Sequence, residues 1–130
     1  MEPILSTEAK DIEVLKEFMK REQIFHQPEY GMSRQDFENM TDPMFWEVGA
    51  SGRRYSRDCV LDVLEDRLKN PTEDIFETKD FYCLEISQNN YLLTDTLIQG
   101  NRITRRTSIW RHLKNDWKIV FHQGKIVADR

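Results

Sequence analysis

A chain of 130 residues falls in the size range of a single hydrophobic core, so we expect one domain over residues 1–130. Hydrophobic residues make up 38% of the chain and charged residues 32%, a composition that predicts folding and excludes a disordered protein. The formal net charge of -4 argues against a nucleic-acid-binding protein, because the phosphate backbone selects concentrated positive charge.

The first helical pattern runs from about Thr7 to Phe25. Its apolar stripe is formed by residues at three- and four-residue spacings, which are Ile12, Leu15, Phe18 and Met19. Glu22 occupies the next position of this stripe and is the one residue that breaks it. Ser6 or Thr7 is the expected N-cap, since a hydroxyl there can accept a hydrogen bond from an amide of the first turn.

Two shorter helices are predicted before the middle of the chain. Ser33 followed by Asp36 is a capping pattern for the second. Between the two helices an aromatic-rich passage over residues 42–52 reads as a short strand or an irregular segment. Ser56 is the expected cap of the third helix, whose apolar stripe ends at Asn70 because Pro71 disfavours helical geometry before it.

From about Phe76 onward the pattern changes to strands. The β-rich runs are separated by short turn clusters, and they cover residues 81–86, 91–99, 102–113 and 117–127. Helices followed by an antiparallel meander predict an α+β fold, with about three helices packed on one face of a curved sheet. The strands carry apolar residues at both odd and even positions, so both faces of the sheet are apolar. We therefore expect the second face to be covered, most simply by a second copy in a homodimer.

Three passages resemble a known group of proteins. They are Phe45-Trp46-Glu47-Val48-Gly49-Ala50-Ser51-Gly52, Arg105-Arg106-Thr107-Ser108-Ile109-Trp110 and Trp117-Lys118-Ile119-Val120-Phe121-His122-Gln123-Gly124. They look like the nuclear transport factor 2-like superfamily, in its bacterial branch of unknown function related to SnoaL-like and ketosteroid isomerase-like proteins. The resemblance implies a cystatin-like cone with an internal cavity and dimers through the outer sheet face. It does not assign a reaction, because the superfamily contains enzymes and non-catalytic modules.

The meander itself places several polar residues together. If Gly100-Asn101 is a two-residue turn, Asp95 lies opposite Arg106, and Ser108 and Trp110 follow on the same face. This set would suit a ligand-binding floor, while an exposed cross-strand ion pair beside ordinary aromatic packing is the alternative. The resemblance favours the cavity for Arg106, Ser108 and Trp110.

Glu47 and His122 are the candidate catalytic residues. An acid between Trp46 and Val48 is unusual unless it is paired or held for proton transfer, and a pairing of Glu47 with an arginine is the alternative. The resemblance implies a catalytic carboxylate in about this passage and a tyrosine on the first helix, where Phe18 stands instead. A three-residue loop before Trp117 would place His122 opposite Ser108, and a two-residue loop would place Gln123 there.

We therefore expect a pocket for an unknown small organic ligand, with Trp46 also in its wall, and cofactor-free proton transfer as an isomerase, dehydratase or hydrolase. A non-catalytic dimerisation or interaction module is the alternative. No metal site and no cofactor are expected, since His26 and His112 have no ligand at a suitable spacing. Cys59 and Cys83 form no metal or redox motif, and no segment approaches the ~20 apolar residues of a membrane span, so a cytoplasmic protein with buried thiols is predicted.

Overall fold

The computed structural model describes residues 1–26, 33–70 and 76–127, without the side chains of residues 23–26. The helices are a short 3-10 helix at Ala9–Asp11, α1 at Ile12–His26, α2 at Arg34–Met40 and α3 at Arg57–Lys69. The strands are β1 at Thr41–Val48, β2 at Arg54–Ser56, β3 at Phe76–Ser87, β4 at Asn90–Gln99, β5 at Arg102–Leu113 and β6 at Asp116–Ile126. The predicted α+β class is confirmed, while Pro71 and the side chains of Phe25 and His26 lie outside the described residues.

The strands form one sheet in the order β2-β1-β6-β5-β4-β3. The predicted antiparallel meander is confirmed for β3 to β6, and β1 adds to it by pairing parallel with β6. The parallel pairing is not part of the sequence prediction, since it joins segments from opposite halves of the chain. Its consequence is that Glu47 lies beside His122 on neighbouring strands.

The turn between β4 and β5 has the predicted geometry. Gly100 takes a φ of 59°, a left-handed conformation that glycine adopts without steric cost, and Gln99 pairs with Arg102. The register continues along both strands, so that Asp95 pairs with Arg106 as predicted.

The turn between β5 and β6 has two residues, Lys114 and Asn115, both at positive φ. A two-residue turn was expected to place Gln123 opposite Ser108, and that expectation is wrong. Pairing Leu113 with Asp116 would bring Phe121 opposite Ser108 in an unbroken ladder, rather than Gln123. A bulge at Val120 adds one residue to β6, because Trp110 pairs with Ile119 whereas Ile109 pairs with Phe121. His122 therefore lies opposite Ser108.

The helices pack on one face of the sheet, here called the inner face, which carries Cys83, Leu93 and Trp110. Phe18 of α1 stacks on Trp110 with ring centroids 5.4 Å apart, and these four side chains are at most 1% exposed. Burying such side chains contributes roughly 1.5–3 kcal/mol each. This contact holds the next turn of α1, with Glu22, over the middle of the sheet.

Helix caps agree with the sequence pattern in two of three cases. Ser33 and Asp36 form a capping box, and the Ser56 side chain accepts a hydrogen bond from the amide of Cys59. The predicted cap at Ser6 or Thr7 is wrong, since Glu8 precedes the first helical turn without a side-chain cap. Thr7 accepts a hydrogen bond from the amide of Cys83 instead, which attaches the N-terminal segment to β3.

Candidate functional site

A cavity of about 420 Å³ lies between the helices and the inner face of the sheet. Much of its wall is apolar, with Phe45, Val60 and Leu64 among the lining residues. The ionisable side chains that line it are Glu22, Glu47, Arg67, Arg102, Arg106 and His122. These residues come from α1, α3, β1, β5 and β6, so only the folded chain brings them together.

Asp95 and Arg106 form a buried ion pair below the cavity. The Arg106 Nε lies 3.1 Å from Asp95 Oδ1 and its Nη2 lies 2.5 Å from Asp95 Oδ2, and both side chains are 3% exposed. Arg106 also lines the cavity, and two of its guanidinium nitrogens are directed at Asp95. The pair is therefore buried rather than the exposed surface pair considered as the alternative.

Glu22 reaches the same cluster from α1. Its Oε1 lies 3.1 Å from the hydroxyl of Ser108, and its Oε2 lies 4.0 Å from Nη2 of Arg106. Burial raises the pKa of Glu22 above its ordinary value, while the charge of Arg106 and hydrogen bonds from Ser108 and Trp110 act in the opposite direction. Arg106 is also paired with Asp95, so the two carboxyl groups share one nearby guanidinium.

His122 completes the cluster from β6. Its Nδ1 lies 2.9 Å from the Ser108 hydroxyl, on the other side of that hydroxyl from Glu22. Burial lowers the pKa of His122 to about 4, with the positive charge of Arg106 adding to the effect. The imidazole is therefore neutral at physiological pH, and it can accept or donate a proton at the cavity wall.

Glu47 is the second carboxyl group of the cavity. Burial raises its pKa, and the charge of Arg67 on α3 acts against that shift. No ion pair within 4 Å joins Glu47 to another of the described residues, so the alternative of a loop-anchoring salt bridge is not what the structure shows. A carboxyl group with a raised pKa holds its proton to higher pH than an exposed one, which suits a general acid or base.

Comparisons with known proteins identify the fold. No family model matches the chain, and no curated protein matches it. Among solved structures, a nuclear transport factor 2-like protein from Cytophaga hutchinsonii superposes with a TM-score of 0.70 at 9% identity, covering 93% of this chain and 100% of its own. This chain has the nuclear transport factor 2-like fold.

Two further structures with this nuclear transport factor 2-like architecture differ in their described roles. One is a candidate dehydratase from Streptomyces avermitilis, with a TM-score of 0.69 at 15% identity over 92% of this chain and 99% of its own. The other is a candidate calcium/calmodulin-dependent kinase II association domain from Exiguobacterium sibiricum, with a TM-score of 0.61 at 16% identity over 100% of this chain and 99% of its own. At these identities the similarity concerns the fold alone.

The predicted site residues fall into three groups within this fold. Glu47, Arg106 and His122 line the cavity. Asp95, Ser108 and Trp110 are buried beside it and hold the lining residues, rather than forming its wall. The placement of Trp46 in the wall is wrong, because neighbouring residues of a strand point to opposite faces: Trp46 is 42% exposed and packs on Phe121, with ring centroids 4.8 Å apart.

Glu22 is a cavity-lining residue that the sequence prediction did not place in the site. Its signal was present, since it is the charged residue at a stripe position of an otherwise apolar helix face. Such a position is buried when the helix docks, and a buried carboxyl group needs partners. Which partners it finds depends on how α1 crosses the sheet, and no local pattern specifies that.

The described residues carry neither a metal-binding cluster nor a membrane-spanning helix. Within the described residues, no group of three or more His, Cys, Asp and Glu side chains is arranged to hold a metal ion. None of the helices in the same part of the chain has both the length and the apolar character needed to span a bilayer. His112 packs on Trp117, with ring centroids 4.4 Å apart.

Proposed function

We propose that this domain binds a small, partly apolar organic molecule in the cavity and transfers a proton to or from it without a cofactor. The observation that carries the proposal is the combination of a cavity of about 420 Å³ with two carboxyl groups of raised pKa and a neutral histidine. Ligand cavities in proteins are typically about 300–1,000 Å³, apolar, and equipped with a few convergent polar groups.

Glu47 and His122 supply the acid–base chemistry in this proposal. They are neighbours on β1 and β6 and both line the cavity, so one can take a proton from a ligand while the other returns one. Isomerisation and dehydration both need this pairing of a base and an acid. The similarity of the fold to a candidate dehydratase supports the same class of reaction.

Arg67 and Arg102 indicate which ligands the cavity favours. Both are exposed side chains of the cavity lining, and neither has an ion-pair partner among the described residues. The charge of Arg106, by contrast, is matched by Asp95. A ligand with an apolar body and one carboxylate directed at these two arginines would complement the cavity.

A ligand screen with a cavity-filling variant tests the proposal. We expect small carboxylic acids with an apolar body to raise the melting temperature, and their neutral amides to do so less. Val60→Trp should abolish the shift, because Val60 lines the cavity and is partly buried, so an indole would occupy cavity space. The same substitution at Val127, which lies outside the lining, should preserve the shift. Equal shifts in both variants would contradict binding in the cavity.

A non-catalytic role as a homodimeric interaction module is the second candidate, and the outer face of the sheet favours it. An apolar row crosses five strands there through directly paired residues, which are Trp46, Phe121, Ile109, Leu92 and Leu84. All five are at least partly exposed in the single chain. We propose that a second copy covers this row, and the similarity of fold to a candidate association domain agrees with such a role.

The dimer proposal is tested by molecular mass in solution. We expect light scattering at micromolar concentration to give twice the mass of one chain. Ile109→Lys, at the centre of the row, should give the monomer mass because an ammonium group would be buried without a partner. Met19→Lys on α1 is the control and should remain dimeric. A monomeric mass for the unaltered protein would overturn the proposal.

A further inference from the structure

The hydroxyl of Ser108 is hydrogen-bonded on two sides. It lies 3.1 Å from Oε1 of Glu22 and 2.9 Å from Nδ1 of His122, and Ser108 is 2% exposed. A serine hydroxyl has one proton, so it can donate to one of these neighbours and must accept from the other. The three side chains therefore have two consistent arrangements of their protons.

In the first arrangement the Glu22 carboxyl group is protonated and donates to Ser108, which donates to Nδ1 of His122. The ring proton of His122 is then on Nε2. In the second arrangement Glu22 is a carboxylate that accepts from Ser108, and Nδ1–H of His122 donates to the serine oxygen. Nε2 then has a free lone pair. The second arrangement holds one proton fewer than the first, and the change between them needs no movement of the heavy atoms.

We propose that Glu22, Ser108 and His122 form a proton relay, in which the carboxyl group on α1 stores the proton that His122 exchanges with a ligand. The proposal rests on the proposed function in one respect, which is that the ligand meets His122 in the cavity. Glu22 is a positioning and proton-storing residue that acts through Ser108. His122 is the group that meets the ligand.

The proton balance is closed in both directions. When His122 acts as an acid, its Nε2–H bond breaks and a bond from that proton to the ligand forms. The Ser108 proton passes to Nδ1, and the Glu22 proton passes to the Ser108 oxygen. Glu22 is left as a carboxylate whose Oε2 lies 4.0 Å from Nη2 of Arg106. The reverse sequence lets His122 act as a base, and no other reactant is needed.

The surroundings of Glu22 suit a proton store. The charged and titratable groups that face it are Arg106 on β5, Asp95 on β4 and His122 on β6, and Glu47 on β1 shares the cavity. Asp95 already balances the charge of Arg106, so ionising Glu22 leaves the buried cluster with a net negative charge. Burial disfavours the Glu22 carboxylate and raises its pKa, while the nearby guanidinium of Arg106 stabilises the carboxylate and limits that rise.

The tautomer of His122 in the unaltered protein tests the relay directly. Nitrogen-15 NMR distinguishes Nδ1–H from Nε2–H, and carbon-13 NMR follows the Glu22 carboxyl group. We expect the Nε2–H tautomer at the acid end of the titration and Nδ1–H at the alkaline end, with the change above the ordinary pKa of a glutamate because burial raises the pKa of Glu22. The midpoint should coincide with that of the Glu22 carboxyl signal. Titration of Glu22 with no change of tautomer would overturn the relay.

Three variants separate the relay from simple packing. Glu22→Gln should show one tautomer at every pH, because an amide cannot change from donor to carboxylate. Ser108→Ala should break the coupling, so that Glu22 titrates without altering His122. Glu47→Gln is the control and should keep the change of tautomer. A pH-dependent tautomer in Glu22→Gln would contradict the proposal. No ligand is used, so this experiment can fail while the cavity still binds a ligand, and the ligand screen can fail while the relay holds.

Discussion

Arg106→Met should lower the free energy of unfolding by about 3–5 kcal/mol, because it leaves the buried Asp95 carboxylate without its guanidinium. Both side chains are 3% exposed, so the Asp95 carboxylate is largely removed from bulk water. Glu22 would lose its nearest positive charge at the same time. Urea unfolding followed by circular dichroism gives the value.

Two companion variants identify the cause of that loss. Adding Asp95→Leu to Arg106→Met should recover most of the stability, since a well-packed apolar pair can replace a buried ion pair at little cost. Arg105→Met is the control for losing an arginine from the same strand. Its partners Asp80 and Glu2 are exposed, and the loss should stay under about 1 kcal/mol. If the double variant were as unstable as Arg106→Met, charge burial would not be the cause.

The relation between Asp95 and Arg106 shows how far the sequence can predict a site. Gly100 and Asn101 mark a two-residue turn, and the turn alone determines which residues pair along both strands. That argument needs only neighbouring segments of the chain. The same argument fails one turn later, because the bulge at Val120 changes the register and has no signal in the residues around it.

Contacts between segments that are distant in the chain could not be predicted from local sequence patterns. The parallel pairing of β1 with β6 joins residues that are distant in the chain, and it is this pairing that places Glu47 beside His122. The contact of Glu22 with Ser108 likewise depends on the crossing of α1 over the sheet. The fold class follows from local patterns, whereas the composition of the cavity follows from how the helices and strands pack.

Glu22 and His122 should also affect the pH dependence of stability in opposite directions. The folded state lowers the pKa of His122 to about 4, so between that value and the ordinary pKa of about 6.5 the unfolded chain binds more protons, and stability rises with pH. Burial raises the pKa of Glu22, so from its ordinary pKa up to the raised one the folded chain binds more protons, and stability falls with pH. In the unaltered protein the pH dependences contributed by His122 and Glu22 oppose each other over the pH range where both groups titrate.

Removing either side chain should expose the pH dependence of stability that the other contributes. In Glu22→Gln stability should rise more steeply with pH between about 4 and about 6.5 than in the unaltered protein, because the His122 contribution of up to about 3 kcal/mol is no longer opposed by Glu22. His122→Gln should lose stability more steeply with rising pH over the same interval, since Glu22, Glu47 and Asp95 remain and burial raises the pKa of each. Chemical denaturation at a series of pH values measures both curves. Parallel curves for the two variants would show that these side chains do not titrate as a buried, opposed pair.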